Sequence, residues 1–377
     1  MEPSPDRDLH FLYILIKLSD IGVAPMDIQA WTARKTCEPM VLEERPARPG
    51  PGQVLVAVAG CGVCHTDLGF FFDKVPTRHP LPLTLGHEIS GRVVETGEGA
   101  ERWRGRAVIV PAVIPCGDCA ACRDGRGSIC PRQVFPGNDV HGGFASHVIV
   151  PALGLCPVPD RLPPGLDLAM LSVIADAVST PYQAIRRSGL RAGDVAIFVG
   201  AGGVGGFGVQ IAAALGAAVV AIDPDPGRTE RLAPHGLALA LDPSTTDFKT
   251  LRKAVRDFAG ARGVPTWRQL VFETSGTPQG QSTAFGLLGH GGYLSIVGFT
   301  PEAVSVRLSN LMALDARVEG NWGCLPGLYP EALGLVLDGR IALQPFVERR
   351  PLASINQTFH DVHARKVSRR VVLVPES

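Results

Sequence analysis

The chain has 377 residues, and 36 Lys plus Arg offset 36 Asp plus Glu, so its formal net charge is zero. Hydrophobic residues at 45% and charged residues at 19% supply ample material for cores, and the length favours two domains. Neutrality removes any global attraction to nucleic acid or to an anionic membrane surface.

Residues 1–25 differ in texture from the rest of the chain. The run from Leu9 to Leu18 is apolar but too short to span a bilayer. Asp6, Arg7 and Asp8 precede it, which is not the cationic start of a secretory leader. The segment is read as an N-terminal extension, a loose arm or a start assigned upstream of Met26. No later stretch is long and apolar enough for the membrane, and a cytoplasmic location is expected.

From Met26 to about residue 160 the chain reads as short strands broken by Gly and Pro. Candidates are Gln53–Ala59, Ile89–Val94, Ala107–Val110 and His147–Val150. Cys64 and His87 lie just beyond the first of these and just before the second. A thiolate and an imidazole are a natural start for a catalytic metal. Cys116, Cys119, Cys122 and Cys130 come next, with the spacing C-x2-C-x2-C-x7-C. Four thiolates from one short polar lobe can close a tetrahedron around zinc with no open position, which makes the site structural. A nucleic-acid zinc ribbon is the alternative, but the local charges are mixed and no aromatic residues interleave.

From about Ser179 strands alternate with helices, which argues for a parallel sheet covered on both faces. Val195–Val199 is a buried-type strand that runs into Gly200, Ala201, Gly202, Gly203, Val204 and Gly205, a G-x-G-x-x-G. A helix is expected from Gly203 to Leu215, then a strand Ala218–Asp223. Asp223 lies 23 residues after the first glycine. Strand, glycine turn, helix and acid together read as a dinucleotide site. Gly200 permits the turn, Gly202 admits the pyrophosphate, Gly205 lets helix pack on strand, and the helix start favours phosphate. Asp223 can bind both ribose hydroxyls and would repel a 2′-phosphate. Pro224, Asp225 and Pro226 come immediately after it, so no cation is expected beside it, which favours NAD over NADP. Arg228 is placed along the adenine. Further strands are expected at Leu270–Glu273 and Tyr293–Val297. After about residue 323 the chain reads as irregular, ending in a strand Arg370–Val374 that rejoins the first domain.

The order and spacing of GVCHTD at 62–67, GHE at 86–88, the four-cysteine lobe and GAGGVG at 200–205 resemble the medium-chain zinc alcohol dehydrogenase family over Met26 to Ser377. The resemblance implies an α/β fold: a Rossmann doubly wound sheet at 178–322, plus a GroES-like, mainly β catalytic domain at 26–177 and 323–377 that carries the zinc lobe. It implies two zincs per chain, NAD, and a homo-oligomer, dimer or tetramer. Cys64 and His87 match catalytic zinc ligands, Asp67 the carboxylate that orients His87, and Glu88 the acid beside the metal. Thr66 matches the hydroxyl that takes the alcohol proton, and Arg370 the arginine near Glu88 and the pyrophosphate. Asp176 stands where many members carry a Cys ligand. Its competing reading is a solvated acid at a helix start. Gly69 replaces a proton-relaying His of some relatives, which leaves His65 or the cofactor ribose as the proton's route.

Within the family, the segments 58–77, 82–91 and 175–184 resemble the 6-hydroxycyclohex-1-ene-1-carbonyl-CoA dehydrogenase subfamily. The small-molecule substrate so implied is a CoA thioester. Arg78, His79, Arg123 and Arg132 are candidate cations for its phosphates, and Phe70, Phe71 and Phe72 for an apolar ring pocket. A general secondary or aromatic alcohol dehydrogenase and a non-catalytic zinc- or NAD-binding protein are the alternatives.

Overall fold

The computed structural model describes residues 25–376. The reading of residues 1–25 as an extension therefore lies outside them, save for residue 25. Among the described residues, no helix is long and apolar enough to cross a membrane.

Strands β1 (Met26–Thr32) and β2 (Val41–Ala47) form an antiparallel pair. The long strand β3 (Gln53–Gly62) is the spine of the first large sheet. It pairs antiparallel with β4 (Glu88–Thr96), which pairs with β5 (Ala107–Val110), and on its other edge with β6 (His147–Pro151). The short β7 (Cys156–Pro157) closes the β5 edge. Val54, Leu55, Val56 and Val58 of β3 are all buried, which fits a strand covered on both sides.

The second sheet is wholly parallel. It runs through β8 (Val195–Val199), β9 (Ala218–Ile222), β10 (Leu237–Leu241), β11 (Gln269–Glu273), β12 (Tyr293–Ile296) and β13 (Arg317–Gly320). Their spatial order is β10-β9-β8-β11-β12-β13, the doubly wound order that reverses between its first and fourth strands. The crevice between β8 and β11 is therefore the place for a dinucleotide. Every residue of β8 is buried, so its apolar run is continuous rather than alternating.

The chain then returns. β14 (Val347–Pro351) pairs with β15 (Arg370–Val374), and β15 pairs antiparallel with the end of β3, Val372 opposite Gly62. The segment after residue 323, read from sequence as irregular, also holds two helices, Tyr329–Leu337 and Ile355–His363. Pro330 and Gly334 hide the first from a sequence reading, although proline in a first helical turn costs no hydrogen bond. One core holds the two sheets together. Ile109, Ile174, Tyr182, Phe198, Phe272, Tyr329 and Val372 all belong to it.

Candidate active site

The site forms where β3, β4 and β15 end. The turn after β3 carries Cys64 and leads into the helix His65–Phe71. Glu88 opens β4, with His87 just before it. Asp67, fully buried, ties the two segments: Oδ2 accepts the Cys64 N–H at 2.9 Å and Oδ1 accepts the Gly86 N–H at 3.1 Å. The same Oδ1 lies 3.2 Å from His87 Nδ1, at ion-pair distance but out of line for a hydrogen bond. One carboxylate thus fixes both residues expected to bind metal.

Asp176 completes the group. It comes directly after the short 3-10 helix Met170–Ala175, and its Oδ2 lies 3.5 Å from Cys64 Sγ and 3.6 Å from His87 Nε2. Zinc bonds of about 2.0–2.3 Å in a tetrahedron place such donors about 3.4–3.6 Å apart. The Asp176 side chain is 15% exposed, which is not the environment of a solvated acid. Burial pushes its carboxyl up, but hydrogen bonding and charge from His87, with Thr180 and Arg370, hold it below the usual carboxylate range. Burial likewise disfavours a charged His87, yet Asp67, Asp176 and Cys64 raise its pKa well above the ordinary value. Thiolate, imidazole and carboxylate converging in one buried pocket are the donor set of a cation site. Cys64, His87, Glu88 and Asp176 all offer ligand atoms within 4.8 Å of one another.

Glu88 is buried and engages Arg370 through both carboxylate oxygens, with Nε to Oε2 at 3.0 Å. Burial pushes its carboxyl up to about 7 against the opposing charge of Arg370. A Cβ on Gly62 would fall 2.0 Å from Glu88 Oε2, so only glycine leaves room for this acid. Thr66 Oγ1 lies 3.7 Å from Cys64 Sγ. His65 is exposed, yet the protein around it and the charges of Arg370, Arg365 and Arg228 lower its pKa to about 4.

The cysteine lobe is a second cluster. Its Sγ–Sγ distances are 3.4 Å (Cys119–Cys122), 3.5 Å (Cys116–Cys130), 3.7 Å (Cys119–Cys130) and 3.9 Å (Cys116–Cys122). A zinc tetrathiolate with bonds of about 2.3 Å requires edges of about 3.8 Å. Both donor sets therefore fit zinc.

In the crevice, Gly200 turns with φ +97°, and a Cβ there would meet the Ser275 backbone at 2.6 Å. Gly200→Ala should therefore abolish dinucleotide binding and destabilise the fold by about 1–3 kcal/mol or more. Unaltered NADH binding, read by fluorescence titration, would contradict this. Val204 and Gly205 begin the helix Gly205–Ala214. The position of a Cβ on Gly203 lies 3.0 Å from Arg370 Nη1, so Arg370 reaches from Glu88 to the glycine loop. Asp223 Oδ2 accepts the Ala201 N–H at 2.7 Å, and Oδ1 accepts the Asp225 N–H at 2.9 Å.

The expectation that no cation stands beside Asp223 fails. Asp223 does have a neighbouring cation. Asp225 caps the helix Pro226–Leu232, whose first turn brings Arg228 Nη1 to 3.4 Å from Asp223 and Nε to 3.3 Å from Asp225. Two carboxylates against one guanidinium still leave the pocket negative.

Comparison with known proteins decides the family. Residues 50–160 match the alcohol dehydrogenase GroES-like domain, and residues 203–338 the zinc-binding dehydrogenase domain. An alcohol dehydrogenase of Geobacillus stearothermophilus is 31% identical over 332 residues, covering 88% of this chain and 93% of that protein. An L-threonine 3-dehydrogenase of Thermococcus kodakarensis is 30% identical over 80% of this chain and 85% of its own. The crystal structure of an alcohol dehydrogenase from Thermotoga maritima superposes with a TM-score of 0.81 at 25% identity, over 93% of this chain and 100% of its own. The chain belongs to the zinc-dependent medium-chain alcohol dehydrogenase family. It is an oxidoreductase acting on CH–OH groups, with zinc and a nicotinamide dinucleotide.

Several features of this dehydrogenase's site have no local sequence signal. Phe135 packs edge-on against His87 with centroids 4.9 Å apart, and Trp322 packs against Phe135 at 5.8 Å. Phe70 faces Phe135 at 6.5 Å. Phe71 instead turns into the core against Phe359, and Phe72 packs on His360 and His363. Of the three phenylalanines expected around a ring pocket, only Phe70 joins the wall beside His87. Buried Gln183 holds the loop that bears Trp322, accepting the Leu325 N–H at 2.8 Å and donating to Asn321 at 3.1 Å. The arginines expected for a CoA group are engaged elsewhere: Arg132 with the Asp118 carboxylate, Arg123 with the Asp118 backbone carbonyl, and Arg78 with Asp139 at 3.6 Å. His79 Nδ1 lies 2.6 Å from the Pro80 carbonyl.

Proposed function

We propose that this dehydrogenase oxidises a secondary cyclic alcohol with NAD, and that the alcohol is 6-hydroxycyclohex-1-ene-1-carbonyl-CoA, converted to the 6-oxo compound in anaerobic aromatic degradation. The convergence of Cys64, His87 and Asp176 beside Thr66, with Arg370 bridging from Glu88 to the glycine loop, carries the oxidoreductase reading. In it Cys64, His87 and Asp176 hold a catalytic zinc, and Cys116, Cys119, Cys122 and Cys130 a structural one. Residues 26–177 with 323–377 form the catalytic domain, and residues 178–322 bind the dinucleotide.

Those donors would hold a zinc that supplies Lewis-acid assistance at the alcohol oxygen, and the glycine loop a nicotinamide dinucleotide that supplies the hydride acceptor. Thr66 Oγ1 takes the hydroxyl proton and passes its own on. Gly69 has no side chain to receive it, so the route runs past His65, which is exposed. Asp67 keeps His87 oriented. Arg370 and the N–H groups of the glycine loop hold the pyrophosphate. Asp223 accepts from the adenosine ribose, and Arg228 lines the adenine side.

The aromatic faces of Phe70, Phe135 and Trp322 suit a carbocycle better than a polyol. Oxidation of an allylic carbinol β to a thioester carbonyl gives a conjugated β-oxo product. A second reading, a secondary or aromatic alcohol not bound to CoA, is favoured by the engagement of Arg78 and Arg132 with Asp139 and Asp118, and of Arg123 with the Asp118 backbone carbonyl. NADH formation with a panel of CoA-bound and free cyclic alcohols separates them. Turnover of free alcohols with none of the thioester selects the second reading, and no turnover with any member of the panel sinks both.

Two zincs should differ in lability. Chelation should remove one per chain together with turnover, while the tetrathiolate site, closed and coupled to folding, retains the other. Cys119→Ser should instead lower the thermal midpoint by about 5 °C or more, roughly 2 kcal/mol, with turnover per folded molecule kept. Metal analysis that finds a single zinc in fully active protein contradicts the assignment.

A further inference from the structure

The two oxygens of the Asp176 carboxylate have different neighbours. Oδ2 faces the other donors, 3.5 Å from Cys64 Sγ and 3.6 Å from His87 Nε2. Oδ1 accepts the Thr180 hydroxyl, with Oγ1 at 2.5 Å. The Thr180 backbone N–H also donates to the Asp176 carbonyl at 2.8 Å. Acid and threonine are thus joined twice, four residues apart, at the start of the helix Ser179–Ser188. Thr180 is buried, so water competes little for its hydroxyl.

We propose that Thr180 is a positioning residue for the catalytic metal: its hydroxyl occupies Asp176 Oδ1, so that Asp176 presents Oδ2 alone as a one-oxygen ligand. This rests on the reading of Asp176 as a ligand. The terminal torsion of an aspartate is broad and two-fold, so an unheld carboxylate can turn either oxygen, or both, toward a cation. A hydroxyl donating to a carboxylate belongs to the charge-assisted class of hydrogen bonds and fixes that choice. It also draws negative charge away from the ligand oxygen. A thiolate has no second oxygen to restrain. The hydroxyl therefore matters because this chain has Asp176 where many relatives have cysteine, and it should be dispensable with cysteine in that place.

The test uses the full chain. Zinc affinity of the Cys64 site is measured by chelator competition, and its coordination by the visible spectrum of the cobalt-substituted protein. Thr180→Val should weaken metal binding about ten- to a hundred-fold, the usual loss for a ligand's hydrogen-bond partner. It should also reduce the cobalt absorption as a second oxygen enters the coordination shell. Thr180→Ser should restore both. If the valine variant does not fold, Thr180→Ala carries the same expectation. In an Asp176→Cys background the Thr180→Val change should alter neither readout, a double-mutant cycle that isolates the hydroxyl–carboxylate pair. Unchanged affinity and spectrum in Thr180→Val overturn the proposal. So does an equal loss in both backgrounds, which assigns Thr180 a general structural role. Asp176→Ala protein that keeps its full zinc content overturns the ligand reading itself. Zinc loss in Asp176→Ala with a silent Thr180→Val overturns only the role given to Thr180.

Discussion

Asp176→Ala should lower turnover by about three orders of magnitude, the scale of several kcal/mol of lost Lewis-acid assistance, and should release one zinc per chain. The fold and dinucleotide binding should survive. Asp176 lies outside the strands of both large sheets, and among the described residues its side chain hydrogen-bonds or ion-pairs with Cys64, His87 and Thr180, not with the glycine loop or the cysteine lobe. Asp176→Cys should still bind zinc, because thiolate suits the tetrahedral site. Its stronger donation should weaken the metal as a Lewis acid and alter the pH dependence of turnover. A solvated acid at a helix start would behave otherwise, with about 0.5–2 kcal/mol of stability lost and turnover intact. Zinc content and NADH formation are measured together on the alanine variant. Full zinc with near-normal turnover would leave Glu88 as the nearest replacement ligand.

The second large effect concerns Asp223. Asp223→Ala should weaken NAD about ten- to a hundred-fold, the cost of losing about 1.5–3 kcal/mol of hydrogen bonding to a charged group. The substitution also removes the acceptor for the Ala201 and Asp225 N–H groups, so the glycine loop loosens. Loosening weakens NAD and NADP alike, and the deciding quantity is therefore their ratio. With Asp223 gone, Arg228 keeps half-exposed Asp225 as its ion-pair partner among the described residues and is free to meet a 2′-phosphate. The preference for NAD over NADP should fall by at least ten-fold. Both affinities dropping by the same factor would mean that Asp223 organises the loop without reading the ribose.

The parts of the site that the chain spells out locally are legible in the residue order. The strand Val195–Val199, the glycine turn and an acid at the end of the next strand lie within one short unit, so spacing alone places them. The same holds for Cys116 to Cys130, where one lobe carries all four sulfurs. Cys64 and His87 are weaker singly and draw their meaning from company. Asp176 is identified only through the family resemblance, because nothing in DAVST at 176–180 marks a metal ligand. The sequence places Arg228 along the adenine, and the three residues after Asp223 argue against a cation beside it. The first turn of the next helix folds back further than that window reaches.

The return segment shows the same boundary. Its last strand is expected at Arg370–Val374, where three of five residues are valine, and it lies there. The helices before it escape a sequence reading, since burial against a shared core overrides a weak periodic signal. Residue order along short loops determined the glycine cradle and the cysteine tetrahedron. Packing between distant elements decided the rest: Asp67 clasping Cys64 to His87, Thr180 turned to one oxygen of Asp176, and Gln183 holding Trp322 beside Phe135. Such contacts depend on which faces are buried together, and side chains that meet in the site stand as many as 282 residues apart in the chain, as Glu88 and Arg370 do.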